Sequence, residues 1–192
     1  MPQTEALMGG TTYINYYDSI NEQKAKALMA LCADVIASRK PDRLYFLFSS
    51  PGGSVDAGVA LFNYLRSLPV PLIMHNTGSV DSIAAVVFLA ADERYANPHA
   101  SFLLHGVKWG FPQGANLDWP ALQETVSRFK GDEARISGII TSRTSISNDE
   151  LAHFHRQGDL VGPELAKEKG LIRDVLEAKV PSGTSIISCN FG

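Results

Sequence analysis

The chain is 192 residues long, 45% apolar and 19% charged, with a formal net charge of −3. That length suits one domain with a sizeable core, and the composition excludes a disordered chain. The weak charge gives no field to draw in nucleic acid or anionic lipid.

In chain order, MPQTEALMGG has no basic region followed by an apolar stretch, so it is not a secretory signal. Residues 1–10 and 181–192 read as flexible tails of a single domain. Thr11 to Tyr17 is rich in β-branched and aromatic residues and predicts a strand. Ser19-Ile-Asn-Glu22 reads as a capping box opening a helix whose apolar stripe is Ala25, Leu28, Met29, Cys32, Val35 and Ile36. Cys32 on that stripe reads as a buried thiol. The only other cysteine, Cys189, forms no CxxC pair with it, which favours a reducing, cytoplasmic location. Arg43 to Ser49 is a nearly unbroken apolar run, as in a strand covered on both faces.

Pro51-Gly52-Gly53 breaks that strand, and a helix with Val59, Phe62, Leu65 and Leu68 inward follows. Pro71 to Asn76 predicts a strand, Gly78 a turn, and Ser82 to Ala91 a helix of small residues. The longest apolar run, Ile83 to Ala91, is nine residues; a membrane span needs roughly 20, so no membrane partner is expected. Short strands follow at Arg94–Ala96 and Ser101–Leu104, then a glycine-rich loop from Gly106 to Asn116. Asp118 caps a long helix running to about Thr144, and Ser147-Asn-Asp-Glu150 is a second capping box. A short helix from Pro163 to Lys169 and a last strand from Leu171 to Leu176 complete the series. This alternation predicts an α/β fold with a mostly parallel sheet, whose sites lie at the carboxyl ends of strands. Ser50 to Gly53, Gly78 to Ser82, and His105 occupy such ends.

Ser82 stands where strand and turn give way to helix. As an ordinary residue it is an N-cap; as a nucleophile it would have unpaired backbone N–H groups beside it to hold an oxyanion. No G-x-S-x-G elbow surrounds it, which argues against an α/β-hydrolase. His105 ends an apolar strand, and a neighbouring strand end could bring it within reach of Ser82, a weak nucleophile that needs a base. Pro51-Gly52-Gly53 is either a plain turn or a loop whose glycines let a backbone N–H approach a ligand oxygen.

Together these segments resemble the proteolytic subunit of the Clp protease family, within the wider Clp/crotonase fold of repeated β-β-α units, a mostly parallel sheet and a protruding handle helix. SSPGGSVDAG is similar to the family's oxyanion loop, GSVDSIAA to its nucleophile segment, and NPHASFLLHG to the segment carrying its base. GPELAKEKGLIRDVL resembles the C-terminal helix and strand, so the likeness runs from about Thr11 to Leu176. The resemblance implies Ser82 as nucleophile, His105 as base, Gly53 and Ile83 as oxyanion donors, and no cofactor. It implies a serine endopeptidase cleaving unfolded proteins or peptides through an acyl-enzyme, inside a homo-oligomeric chamber formed by a heptameric ring or double ring.

Three features depart from the family pattern. Counted back from GLIRDVL, the triad aspartate falls on Gly158, and Asp159 reaches that place only with a one-residue loop adjustment. Asp81 stands where the family has a small residue; it would raise the pKa of a nearby histidine, though capping the helix is the expected role. The first strand opens at Thr11, where the family has a leading helix and axial loops that engage an AAA+ unfoldase, which weakens the expectation of that partner.

The helix from Asp118 resembles the family's handle, with Val126, Phe129, Ile136, Ile139 and Ile140 as apolar contacts, although such residues also serve ordinary packing. Trp109 and Phe111 are expected to line a substrate groove that takes a peptide by strand addition. His153 and His155, two apart, point to different helix faces, and no metal site is expected. Two other readings remain open: a catalytically impaired ring subunit, favoured by the displaced acid, and a crotonase-like acyl-CoA enzyme using the same oxyanion hole.

Overall fold

In a computed structural model, which describes residues 10–108, 110 and 118–189, the chain forms a mixed α/β fold around a mostly parallel sheet. Its first units are β1 (Thr11–Tyr17), α1 (Glu22–Arg39), β2 (Arg43–Ser50) and α2 (Val55–Arg66). They are followed by β3 (Leu72–Asp81), α3 (Ile83–Phe88), β4 (Glu93–Ala96) and β5 (Ser101–Leu103). The long helix α4 (Trp119–Arg143) then leads to α5 (Asn148–Gln157), β6 (Leu160–Val161), α6 (Pro163–Glu168), β7 (Asp174–Val175) and β8 (Ile186–Ser188).

The main path of the sheet runs β6-β5-β3-β2-β1-β8, with β4 pairing β3 and β7 off it. The β5–β6 pair is antiparallel; the other ladders are parallel. Alternation along β1 and β2 divides the apolar residues between two faces. Ile14, Tyr16, Phe46 and Phe48 enter the main core with α1, α2 and α3, while Tyr13, Tyr45 and Ile73 form a smaller cluster on the other side. The unbroken apolar run of β2 is thus a consequence of cover on both faces. Cys32 is fully buried in the main core, where burial pushes its thiol up to about 12.

Four local features differ from the pattern read in the sequence. The cap of α1 is Asn21, whose side chain accepts from Lys24 N–H, rather than Ser19. Asn is as good an N-cap as Ser, and the Ser19 hydroxyl instead accepts from Lys24 Nζ at 3.0 Å. The turn expected at Gly78 is a continuation of β3, whose register against β2 shifts between Phe48 and Ser50. Side chains hold this irregularity: Asn76 accepts from Gly78 N–H at 3.0 Å, and Ser49 Oγ both donates to Ser79 O and accepts from Ser79 N–H. The shift lets one strand pair β4 through Ile73–Asn76 and β5 through Ser79–Asp81. Finally, β6 is a short strand the pattern did not reveal, and Ile186–Ser188, expected in a flexible tail, adds β8 to β1.

Arg94 ties this edge to the C-terminal half. Its guanidinium donates to the carbonyls of Leu171, Ala91, Arg143 and Gly170, and burial holds its pKa down to about 10. An ammonium group cannot reproduce that planar fork. Replacing Arg94 with Lys is expected to cost about 2–3 kcal/mol by urea denaturation, through buried carbonyls left without donors; a change below about 0.5 kcal/mol would contradict this role.

His75 is buried and structural. Its Nε2 donates to Leu176 O at 2.9 Å, which makes Nδ1 the acceptor for Tyr45 Oη at 2.6 Å. Burial lowers its pKa, consistent with this neutral tautomer.

Candidate active site

The four residues that the resemblance assigns as nucleophile, base and oxyanion donors, Gly53, Ser82, Ile83 and His105, line one pocket of about 130 Å³. Val55, Leu104, Val107, Ile136 and Ile140 supply apolar walls, and Lys108 and His155 add polar groups. The half-buried Ser82 ends β3 and begins α3 with φ 58° and ψ −130°. This region suits glycine rather than a residue with a Cβ, and non-glycine residues kept there mark functional positions. Ser82 N–H donates to Leu103 O at 2.7 Å, which locks the turn to β5 and brings His105, two residues beyond, to the same end of the sheet.

The loop after β2 closes the other side. A parallel bridge joins Ile20 to Gly53: Ile20 N–H donates to Gly52 O, and Ser54 N–H donates to Ile20 O, each at 2.8 Å. In such a bridge the N–H of Gly53 itself points away from Ile20. Ile83 is the first residue of α3, so its N–H has no carbonyl one turn back within the helix. Gly53 and Ile83 both line the pocket that holds Ser82. Gly52 packs so closely on the turn that a Cβ there would lie 2.7 Å from Asp81 O and 2.8 Å from Ser82 Cβ.

His105 Nδ1 lies 2.7 Å from Gly106 O. A carbonyl only accepts, so Nδ1 carries the proton and Nε2 of the neutral ring holds a lone pair. That tautomer is the one a general base toward Ser82 needs. No hydrogen bond joins Ser82 Oγ to His105 among the described residues; such contacts often tighten only around substrate.

Asp159 is exposed, between α5 and β6, and is not part of the pocket wall. The β5–β6 register pairs Leu103 with Leu160; continued outward, it sets Asp159 beside Leu104 and Gly158 beside His105. Among the described residues, no hydrogen bond links Asp159 to His105. Trp109 and Phe111 lie outside the described residues.

Asp81 does not cap α3. Its carboxyl is half-buried, Oδ1 is buried without a partner among the described residues, and burial raises its pKa against opposing contributions from Ser79 and His105. Well below the usual 3.8, folded and unfolded chains both carry the proton and burial costs nothing; as pH rises, the unfolded chain ionises first and the native state loses stability. Asp81→Asn should accordingly raise thermal stability at neutral pH and change it little in acid. A uniform gain at both would assign the effect to packing.

Sequence reading missed His155 as a site residue. The signal was available: His155 follows Leu151, the buried residue of α5, by four positions and so shares its inward face. Among the described residues, no cluster of three or more His, Cys, Asp or Glu side chains could hold a metal, and no helix is long and apolar enough to cross a membrane.

Comparison with known proteins agrees with this geometry. The sequence model of the Clp protease family matches residues 4–179. The ATP-dependent Clp protease proteolytic subunit 2 of Pseudomonas aeruginosa is 28% identical over 159 residues, covering 82% of this chain and 77% of that protein. Proteins of the same name from Borreliella burgdorferi and Treponema pallidum are each 28% identical, over 151 and 138 residues. They cover 78% and 71% of this chain, and 73% and 67% of their own lengths.

Proposed function

Because this chain belongs to the Clp protease family, we propose that it is a serine endopeptidase acting on unfolded proteins or peptides through an acyl-enzyme. The observation that carries the proposal is the strained Ser82, which lines one pocket with His105, Gly53 and Ile83. Ser82 Oγ attacks the scissile carbonyl while His105 Nε2 takes its proton. The carbonyl oxygen, now an oxyanion, is held by Gly53 and Ile83 N–H. His105 returns the proton to the leaving amine, and water repeats the sequence to release the acyl group. Asp159 is the acid the family pattern would assign to orient His105, after a movement of the segment around Gly158.

Oligomeric assembly follows from the family, and a heptameric ring or double ring in the cytoplasm is the form we propose. The exposed apolar residues Trp119, Leu122 and Val126 on α4 support burial of the handle against other copies.

The test is intact-mass analysis after treatment with a fluorophosphonate probe. One adduct per chain, mapped to Ser82 and absent in Ser82→Ala and His105→Ala, is the expected result. No adduct on folded, assembled wild type would favour the non-catalytic ring subunit, a reading that the exposure of Asp159 already supports.

A further inference from the structure

The place beside His105 that an orienting acid would fill is bordered by a second imidazole. His155 of α5 lines the same pocket as Ser82 and His105. Its Nε2 is buried and has no hydrogen-bond partner among the described residues, and an unsatisfied buried nitrogen calls for an explanation. Glu133 of α4 stands with it: a Cβ on Gly106 would lie 3.7 Å from Glu133 Oε1 and 3.8 Å from His155 Cβ. The residue whose carbonyl now holds His105 is therefore packed against both side chains.

Resting on the peptidase reading above, we propose that His155 is a positioning residue, whose Nε2 accepts the His105 Nδ1–H when that N–H leaves the Gly106 carbonyl. No proton passes to His155. The Ser82 proton goes to His105 Nε2, and the N–H on Nδ1 stays where it is, stabilised as the ring becomes cationic. An acceptor must be unprotonated, and burial lowers the His155 pKa, with the nearby His105 acting in the same direction and Glu133 opposing. Among the described residues, the charged groups around the His105–His155 pair are Asp81 of β3, Lys108 after β5 and Glu133 of α4.

Two measurements test this. The first is the NMR pH titration of the His105 imidazole in otherwise wild-type protein and in His155→Phe, a readout that does not require turnover. Loss of the acceptor should lower the His105 midpoint; an unchanged or raised midpoint would overturn the proposal even if the protein proves to be a peptidase. The second compares variants in peptide hydrolysis. His155→Phe should lower kcat by about 10- to 100-fold with KM little changed, less than the ~10⁴ loss of a charged orienting acid, because a neutral acceptor orients without countering the charge. His155→Gln, which keeps an acceptor oxygen, should recover most of that loss. A loss near 10³-fold or more in Asp159→Asn, or none in His155→Phe, would instead make Asp159 the orienting acid. Absence of the Ser82 adduct in wild type would remove the peptidase reading alone, leaving the titration to judge the His105–His155 contact.

Discussion

Ser82→Gly is expected to abolish turnover and to make the folded chain more stable. The loss follows from the chemistry: without Oγ there is no acyl-enzyme, and removing the nucleophile of a comparable serine peptidase costs on the order of 10⁶ in kcat. The gain follows from the backbone. Ser82 holds φ 58° and ψ −130°, a conformation that costs a residue with a Cβ roughly 1–3 kcal/mol and glycine little. Against this stands the greater entropy that glycine loses on folding, about 0.5–1 kcal/mol. The Ser82 side chain makes no capping hydrogen bond that would be sacrificed. The balance is a net gain of about 1 kcal/mol, or roughly 2–4 °C in melting temperature for a chain of this size. Ser82→Ala is the informative partner, because it removes the same oxygen and keeps the Cβ. It should lose activity equally while leaving the melting temperature nearly unchanged. A glycine variant less stable than the alanine variant would show that the turn is not strained, and the argument that strain marks the nucleophile would fall with it.

The same turn shows what the sequence could and could not convey. Periodicity and composition placed β1, β2 and the long helix α4 well, since each depends on its own residues: a β-branched run, an apolar run, and an Asp118 cap that accepts from Ala121 N–H. The Ser147–Glu150 capping box is present in full for the same reason. β3 was harder because its course through Gly78 depends on partners. Local chemistry at Thr77-Gly78 favours a turn, whereas Ser49 across the ladder, Asn76 beside it and the pairing of Ser79–Asp81 with β5 carry the strand on. β6 and β8, two and three residues long, have too few side chains to show a period at all. In the site, Ser82, His105, Gly53 and Ile83 could be found because each sits at a strand end or helix start within a short motif. His155 could not be found that way. It reaches the pocket from α5, and nothing within its own segment records that Gly106 and Glu133 lie against it.

Gly53→Ala should show how completely the oxyanion loop depends on the absence of a side chain. Gly53 has φ +148°, and a Cβ built on it would lie 2.1 Å from Ile20 O and 3.0 Å from Ile20 C. Both are backbone atoms held in the bridge that orients this loop, so no side-chain rotation can relieve the clash. The loop must move, and the N–H of residue 53 moves with it. Two effects follow from one displacement. Loss of a well-aimed oxyanion donor costs about 10²–10³ in kcat, while the strained backbone costs roughly 1–3 kcal/mol of stability. KM should change far less, because the donor acts on charge that develops only in the transition state. Gly131→Ala supplies the contrast: that glycine lies within α4 with none of the described residues within 4 Å of its missing Cβ, and the change should stabilise the chain by up to about 1 kcal/mol without touching turnover. Measured on the folded fraction, a Gly53→Ala enzyme with kcat within about threefold of wild type would remove Gly53 from the oxyanion hole and leave Ile83 to hold the charge alone.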